Sequence, residues 1–172
     1  MPTSGLFARG SFELATGELG SSAALQRYEA EAKAIMPLDG SKRFITAIRA
    51  ALSHTAGSDA PFFEMGAIGG ETTLRGYGRN RFIDRAALVF NLEERIRLFR
   101  WEVFEVTADW ELAPFIDAGA VASTPADFKG SSFRFTPGFG LRAVVRPNII
   151  GRMDFGWGGE GLAVFVGLGY PF

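Results

Sequence analysis

The sequence predicts an all-β fold worn inside out: a transmembrane antiparallel β-barrel, or a half of one. Three observations predict it. Apolar and polar residues alternate with period two along eight segments, as in strands with two unlike faces. No apolar run approaches the ~18 residues a membrane helix needs, so contact with lipid requires strands that satisfy one another's backbone groups. The polar set also carries glycines in several strands, at Gly119, Gly138, Gly140, Gly156, Gly167 and Gly169. Glycine inside a strand marks close approach of another backbone.

The first segment sets Leu6, Ala8, Gly10, Phe12 and Leu14 against Arg9, Ser11 and Glu13. Residues 24–36 have a helix-favouring composition, but Arg27, Glu29, Glu31 and Lys33 alternate strictly with Tyr28, Ala30, Ala32 and Ala34. On a helix those charges would encircle the axis and leave no apolar stripe, so the segment reads as a strand. Residues 43–54 oppose Phe44, Thr46, Ile48, Ala50 and Leu52 to Arg43, Arg49 and Ser53. After a long connection, residues 86–98 oppose Leu88, Phe90, Leu92, Ile96 and Leu98 to Asn91, Glu93, Arg95 and Arg97, with Glu94 alone breaking the apolar face.

Residues 108–121 set Trp110, Leu112 and Ile116 against Asp109, Glu111, Asp117 and Gly119. Residues 133–146 set Phe139, Leu141, Ala143 and Val145 against Gly138, Gly140 and Arg142. Residues 149–157 set Met153, Phe155 and Trp157 against Arg152, Asp154 and Gly156. The last strand runs to the C-terminus, with Leu162, Val164, Val166, Leu168, Tyr170 and Phe172 on one face and Ala163, Gly167 and Gly169 on the other. Tight turns are expected at 38–42 and at Arg146-Pro147-Asn148, and longer connections at 15–23, 55–84 and 122–132. Short turns on one rim and long loops on the other are the outer-membrane habit, which puts the long loops outside and both termini in the periplasm.

Alternation alone does not say which face meets lipid. A soluble barrel would bury the apolar set. The glycine-bearing polar wall needs something against it, and the loop at 55–84 is the candidate. The apolar set carries Trp110, Trp157, Tyr170 and Phe172 near strand ends, where an interfacial girdle lies. Both features favour an outward apolar face.

The bulk numbers agree. The 172 residues suffice for one domain, taken as 1–172, and a net charge of −1 gives no reason to expect nucleic acid. There is no cysteine, hence no disulfide framework and no thiolate metal site. No His/Cys/carboxylate spacing suggests a metal, and no motif implies a cofactor. The start, Met1-Pro2-Thr3-Ser4-Gly5, shows no signal peptide, so the sequence is expected to be a mature form, a recombinant form or a piece of something longer.

The chain resembles the C-terminal half of the bacterial surface antigen barrel, a superfamily that includes outer-membrane protein assembly factors and two-partner secretion transporters. The motifs come in order. Gly69 and Gly70 with Leu74-Arg75-Gly76-Tyr77 look like the signature of the lumen-folded loop. Asn91-Leu92-Glu93-Glu94-Arg95 looks like the next strand, and Phe115-Ile116-Asp117-Ala118-Gly119 like the Phe-x-Asp-x-Gly strand. Gly138-Phe139-Gly140-Leu141-Arg142 and Arg152-Met153-Asp154 look like the two strands after it. The tail ending in Tyr170 and Phe172 is similar to the signal that marks barrels for assembly.

The resemblance implies that Arg75 pairs with Asp117 and with Glu93, on a wall that also presents Phe115 and Gly119. Gly76 would let the backbone turn sharply, and Tyr77 would pack in the lumen. Gly138, Gly140, Gly167 and Gly169 would line that lumen. A guanidinium taken from water needs a carboxylate with fork geometry, and removing one partner costs ~3–5 kcal/mol at a dry site. The alternative is an exposed loop arginine without a fixed partner.

It also implies an outer-membrane location, the lipid bilayer and β-barrel or secreted clients as partners, and assistance to insertion or transport without covalent chemistry. Full members carry about sixteen strands, and an eight-stranded barrel has room only for side chains. Three arrangements follow: half of a larger barrel, two copies joined edge to edge as a homodimer, or a small barrel with the loop over its mouth. The rivals are a pore or structural barrel, and a lipid-acting enzyme. For the last, His54 would need a serine beside it; Ser53 points to the opposite strand face, so His54 reads as a girdle or loop residue.

Overall fold

The computed structural model describes residues 3–21, 23–57, 60–103, 106–145 and 149–172. Ten strands follow in chain order: β1 (Gly5–Ala15), β2 (Leu25–Pro37), β3 (Phe44–Ala56), β4 (Gly66–Ile68), β5 (Phe82–Asp84), β6 (Ala86–Val103), β7 (Val106–Ala122), β8 (Arg134–Val145), β9 (Ile149–Gly158) and β10 (Gly161–Leu168). Eight of them form one antiparallel sheet in the order β1-β2-β3-β6-β7-β8-β9-β10, and β4 and β5 pair separately. The fold is all-β, a wall of the barrel type.

The two faces sort as the alternation requires. Outward residues remain exposed although they are large and apolar: Leu92 at 44 %, Ile116 at 43 % and Trp157 at 45 %. Inward residues are charged and buried, with Glu93, Asp117 and Arg142 all at 0 %. Contiguous exposed apolar surface of this extent marks a lipid or partner surface. The segment read as a strand at 24–36 is β2 from Leu25 onward, with Arg27 opposite Thr55 and Glu31 opposite Ala51 in register with β3.

Four sequence expectations need correction. The sheet does not close into a small barrel, because β1 pairs only with β2 and β10 only with β9. The loop lies against the inner face, the lumen placement that the motifs implied, and not over a mouth. The connection expected at 55–84 starts only after Ala56 and carries its own hairpin, β4 with β5. The rim that carries the long loops also carries a two-residue turn, Gly159 and Glu160, between β9 and β10. The expected turn at 146–148 lies outside the described residues.

The fourth correction concerns the last strand, which ends at Leu168 and not at Phe172. Gly169 adopts φ +80°, a left-handed conformation that glycine enters without penalty, and it turns the tail inward. A β-bulge between Arg97 and Phe99 also resets the phase of β6. Beyond it Phe99 and Trp101 face outward, both 57 % exposed, and Phe99 stacks on Trp110 at 6.3 Å.

Candidate functional site

The site forms where the loop crosses β6, β7, β8 and β9. Its apolar part is small: Ile68, Leu74 and Tyr77 of the loop pack with Ala87 and Val89 of β6. Gly119 leaves room for this, since a Cβ there would lie 3.2 Å from Ile68 and 3.4 Å from Leu74. The Tyr77 ring meets Phe82 edge-on at 5.0 Å, and its hydroxyl accepts a hydrogen bond from the Gly159 N–H at 2.8 Å. Gly69 and Gly70 have φ of +115° and +100°, so the loop enters its turn through two positions that disfavour any side chain.

Arg75 lies at the centre, 1 % exposed. Its Nε donates to Asp117 Oδ2 and its Nη2 to Asp117 Oδ1, both at 2.9 Å, which is the bidentate fork that a planar guanidinium makes with a carboxylate. Its Nη1 donates to Glu93 Oε2 at 2.6 Å, and its backbone N–H donates to Asp117 Oδ2 at 3.1 Å. The guanidinium also lies 3.4 Å from the centroid of the Phe115 ring, a cation–π contact in a dry setting. Burial by itself would lower the Arg75 pKa; the hydrogen bonds and charges of Asp117, then Glu93, raise it above the ordinary guanidinium value.

Several participants entered the sequence reading only as members of strand motifs, with no partner assigned. Arg142 donates to Glu93 at 3.0 Å and pairs with Asp154 at 2.7 Å. Arg152 pairs with Asp154 at 2.9 Å and reaches the loop through Glu71, also at 2.9 Å. Arg95 donates to the second oxygen of Glu93 at 3.0 Å. Asn91 donates to Asp117 and to the Thr73 carbonyl, each at 2.8 Å. Four arginines (75, 95, 142, 152) thus balance four carboxylates (Glu93, Glu111, Asp117, Asp154) among the described buried residues. The signal available in the sequence was their shared strand parity with Glu93 and Asp117. Parity names a face; it does not name partners.

The glycines divide by task. Gly76 sits in the expected turn, closed by the Tyr77 N–H on the Leu74 carbonyl at 3.2 Å, and it also serves close approach to β9, since a Cβ there would lie 2.5 Å from the Gly158 nitrogen and 2.7 Å from Thr136. A Cβ on Gly156 would lie 2.6 Å from the Arg75 carbonyl carbon. Gly138 makes room for the Phe115 ring, Gly140 for Arg142 and Asp154, and Gly167 for Arg152, whose Nε would lie 3.1 Å from a Cβ there. Gly169 meets nothing within 4 Å and acts as the tail's turn, which corrects its place among the lumen-lining glycines.

The tail also corrects the face assigned to Tyr170 and Phe172. The Tyr170 hydroxyl donates to Glu111 at 3.0 Å, and its ring lies under the Arg95 guanidinium at 3.7 Å. The Phe172 ring centroid is 5.8 Å from the Arg75 guanidinium, and its carbonyl lies 3.5 Å from Arg95. The polar wall supplies partners that lipid cannot, and this draws both residues inward. His54 stays on the outer face, stacked on Tyr28 at 6.5 Å.

The Omp85 superfamily domain matches residues 1–160. The chain belongs to the Omp85 superfamily. This is the surface-antigen grouping the motifs resembled, a superfamily of outer-membrane assembly and translocation proteins. Among solved structures, the Omp85 chain is similar to the crystal structure of BamA from Haemophilus ducreyi lacking POTRA domains 1-3, with a TM-score of 0.75 and 17 % identity. The match covers 97 % of this chain and 38 % of that one, so this chain spans about two-fifths of its length. At that identity the likeness shows the fold. No curated protein matches the chain.

Proposed function

We propose that this Omp85 chain, taken over residues 1–172 as a single barrel domain, assists the insertion or transport of β-rich proteins at the outer membrane. It does so without covalent chemistry. The observation that carries the reading is the Arg75 clasp. A guanidinium forked onto Asp117 and bonded to Glu93 fixes a loop against the wall of a sheet whose outer face suits lipid. Family membership supports the same reading.

The unpaired edges of β1 and β10 supply a means. An edge strand in hydrocarbon leaves backbone groups unsatisfied, so each must pair. Candidate partners are further barrel strands, a second copy that completes sixteen strands as a homodimer, or a client strand admitted by β-augmentation. Tyr170 and Phe172 form the chain's own assembly signal in this reading, released from the wall before the barrel closes.

Reconstitution into liposomes tests the proposal. A urea-unfolded outer-membrane β-barrel should insert faster into vesicles that hold the chain than into empty ones. Equal rates would sink it. The rival pore reading has one observation in its favour, a polar cleft beside the loop lined by Arg9, Arg27 and Arg49. Ion conductance without accelerated insertion would favour that rival, and the mass of the detergent complex separates monomer from dimer.

A further inference from the structure

The inner face of β1, β2 and β3 is not filled by the loop. A cleft of about 370 Å³ separates them, within the usual range for ligand sites. The loop side of this cleft is lined by Phe63, Thr73 and four consecutive residues, 65–68, which contain the whole of β4. A strand face shows alternate residues, so a run of consecutive ones means that β4 presents its edge. No residue of β5 lines the cleft, and β4 and β5 form a sheet by themselves. The edge of β4 toward the cleft therefore has no strand partner, and such an edge is a template for pairing.

We propose that the cleft receives an extended polypeptide segment, which adds to β4 as a third strand and sets an acidic side chain against Arg9. The charges of the opposite wall select the occupant. Arg27 is committed to Glu29 at 2.7 Å and to Glu64 at 3.3 Å, and Arg49 to Glu31 at 2.5 Å. Arg9 stands opposite Glu31 in register, yet among the described residues it has no ion pair. With the partners held just outside the lining, Glu64 on Arg27 and Lys33 on Glu31 at 3.2 Å, four cations (Arg9, Arg27, Lys33, Arg49) face three carboxylates (Glu29, Glu31, Glu64), and the cation without an ion pair among the described residues is Arg9. Phe63 on the loop side offers an apolar contact to the same segment. Main-chain bonds to β4 give affinity and Arg9 gives selectivity, the division of labour usual in β-augmentation. The inference rests on the insertion or transport reading, because it says where a client is held.

Photo-crosslinking tests it on the full chain in liposomes. Ala67 of β4 is replaced by p-benzoyl-phenylalanine, with Phe90 on the outer face as the control position. The probe is a urea-unfolded outer-membrane β-barrel, added while it inserts. It should crosslink at 67 and not at 90. Arg9→Glu should lower the yield about two- to fivefold, the range of a partly exposed ion pair. Because the chain lacks cysteine, Ser53→Cys, which lines the cleft, gives a second probe by disulfide trapping should the bulky residue disturb folding. Normal insertion without trapping at either position overturns the inference and leaves the proposed function standing. Crosslinking equal at 67 and 90 also overturns it. Absence of insertion removes both.

Discussion

The two halves of the inner wall carry the same kinds of side chain and do different things with them. On β6 to β9 the arginines and carboxylates under the loop are buried, at 0 % exposure for Arg142, Glu93, Asp117 and Asp154. On β1 to β3 the pairs stay wet: Arg27 and Glu29 have side chains 30 % and 38 % exposed, and Arg49 is 15 % exposed. What separates them is the loop, which covers one half and leaves a cleft over the other. A dry pair cannot lose a partner cheaply, while a wet one exchanges with water or with a ligand. The contrast teaches that one wall can lock and bind with a single chemistry, divided by what lies over it.

The largest effect should come from Arg75→Ala. It strips Asp117 of its fork and leaves buried carboxylates uncompensated, at a cost of ~3–5 kcal/mol. The folded form should lose heat resistance in cold gel electrophoresis, and the loop should become open to protease. Arg75→Lys should recover only part of this, since an ammonium cannot reproduce the fork. Unchanged melting would break the contrast at its strongest point.

Next in size is Gly156→Ala. The new methyl would meet the Arg75 carbonyl carbon at 2.6 Å, which is backbone and cannot swing aside. Overpacking of this kind costs about 1–3 kcal/mol, read as a lower melting temperature in detergent. Tyr170→Phe removes the hydrogen bond to buried Glu111 and should cost on the order of 1–3 kcal/mol. Its check is an inward-to-outward shift of the tail, detected by a spin label near the C-terminus. Arg27→Ala should be the mildest, about 0–1 kcal/mol, because both partners remain partly hydrated. A melting shift as large as that of Arg75→Ala would mean that the two halves do not differ as described.

Much of the wall was legible beforehand. Strand parity assigned Glu93, Asp117, Arg142 and Arg152 to one face and Leu92, Ile116 and Trp157 to the other, because successive side chains of a strand without a bulge point to opposite faces. The motif resemblance brought Arg75, Asp117 and Glu93 together on paper, and the structure places them in contact. Gly76 was half legible: its turn was expected and is present, but the neighbouring backbone of Gly158 that demands a glycine there lies on a distant strand. The tail misled too: Tyr170 and Phe172 continue the alternation of β10 without a break, and only the pull of Glu111 and Arg95 from other strands ends it at Gly169.

The sequence by itself determined the period-two rhythm, the eight wall strands, the apolar outer face and the identity of the loop arginine. These depend on local geometry and on which atoms tolerate lipid. Tertiary structure decided the phase reset at the Arg97–Phe99 bulge, the β4–β5 hairpin, the Arg142–Asp154–Arg152–Glu71 chain and the division between a sealed half and an open one. Those features arise from groups far apart in the chain competing for the same partners in a space only the assembled wall defines.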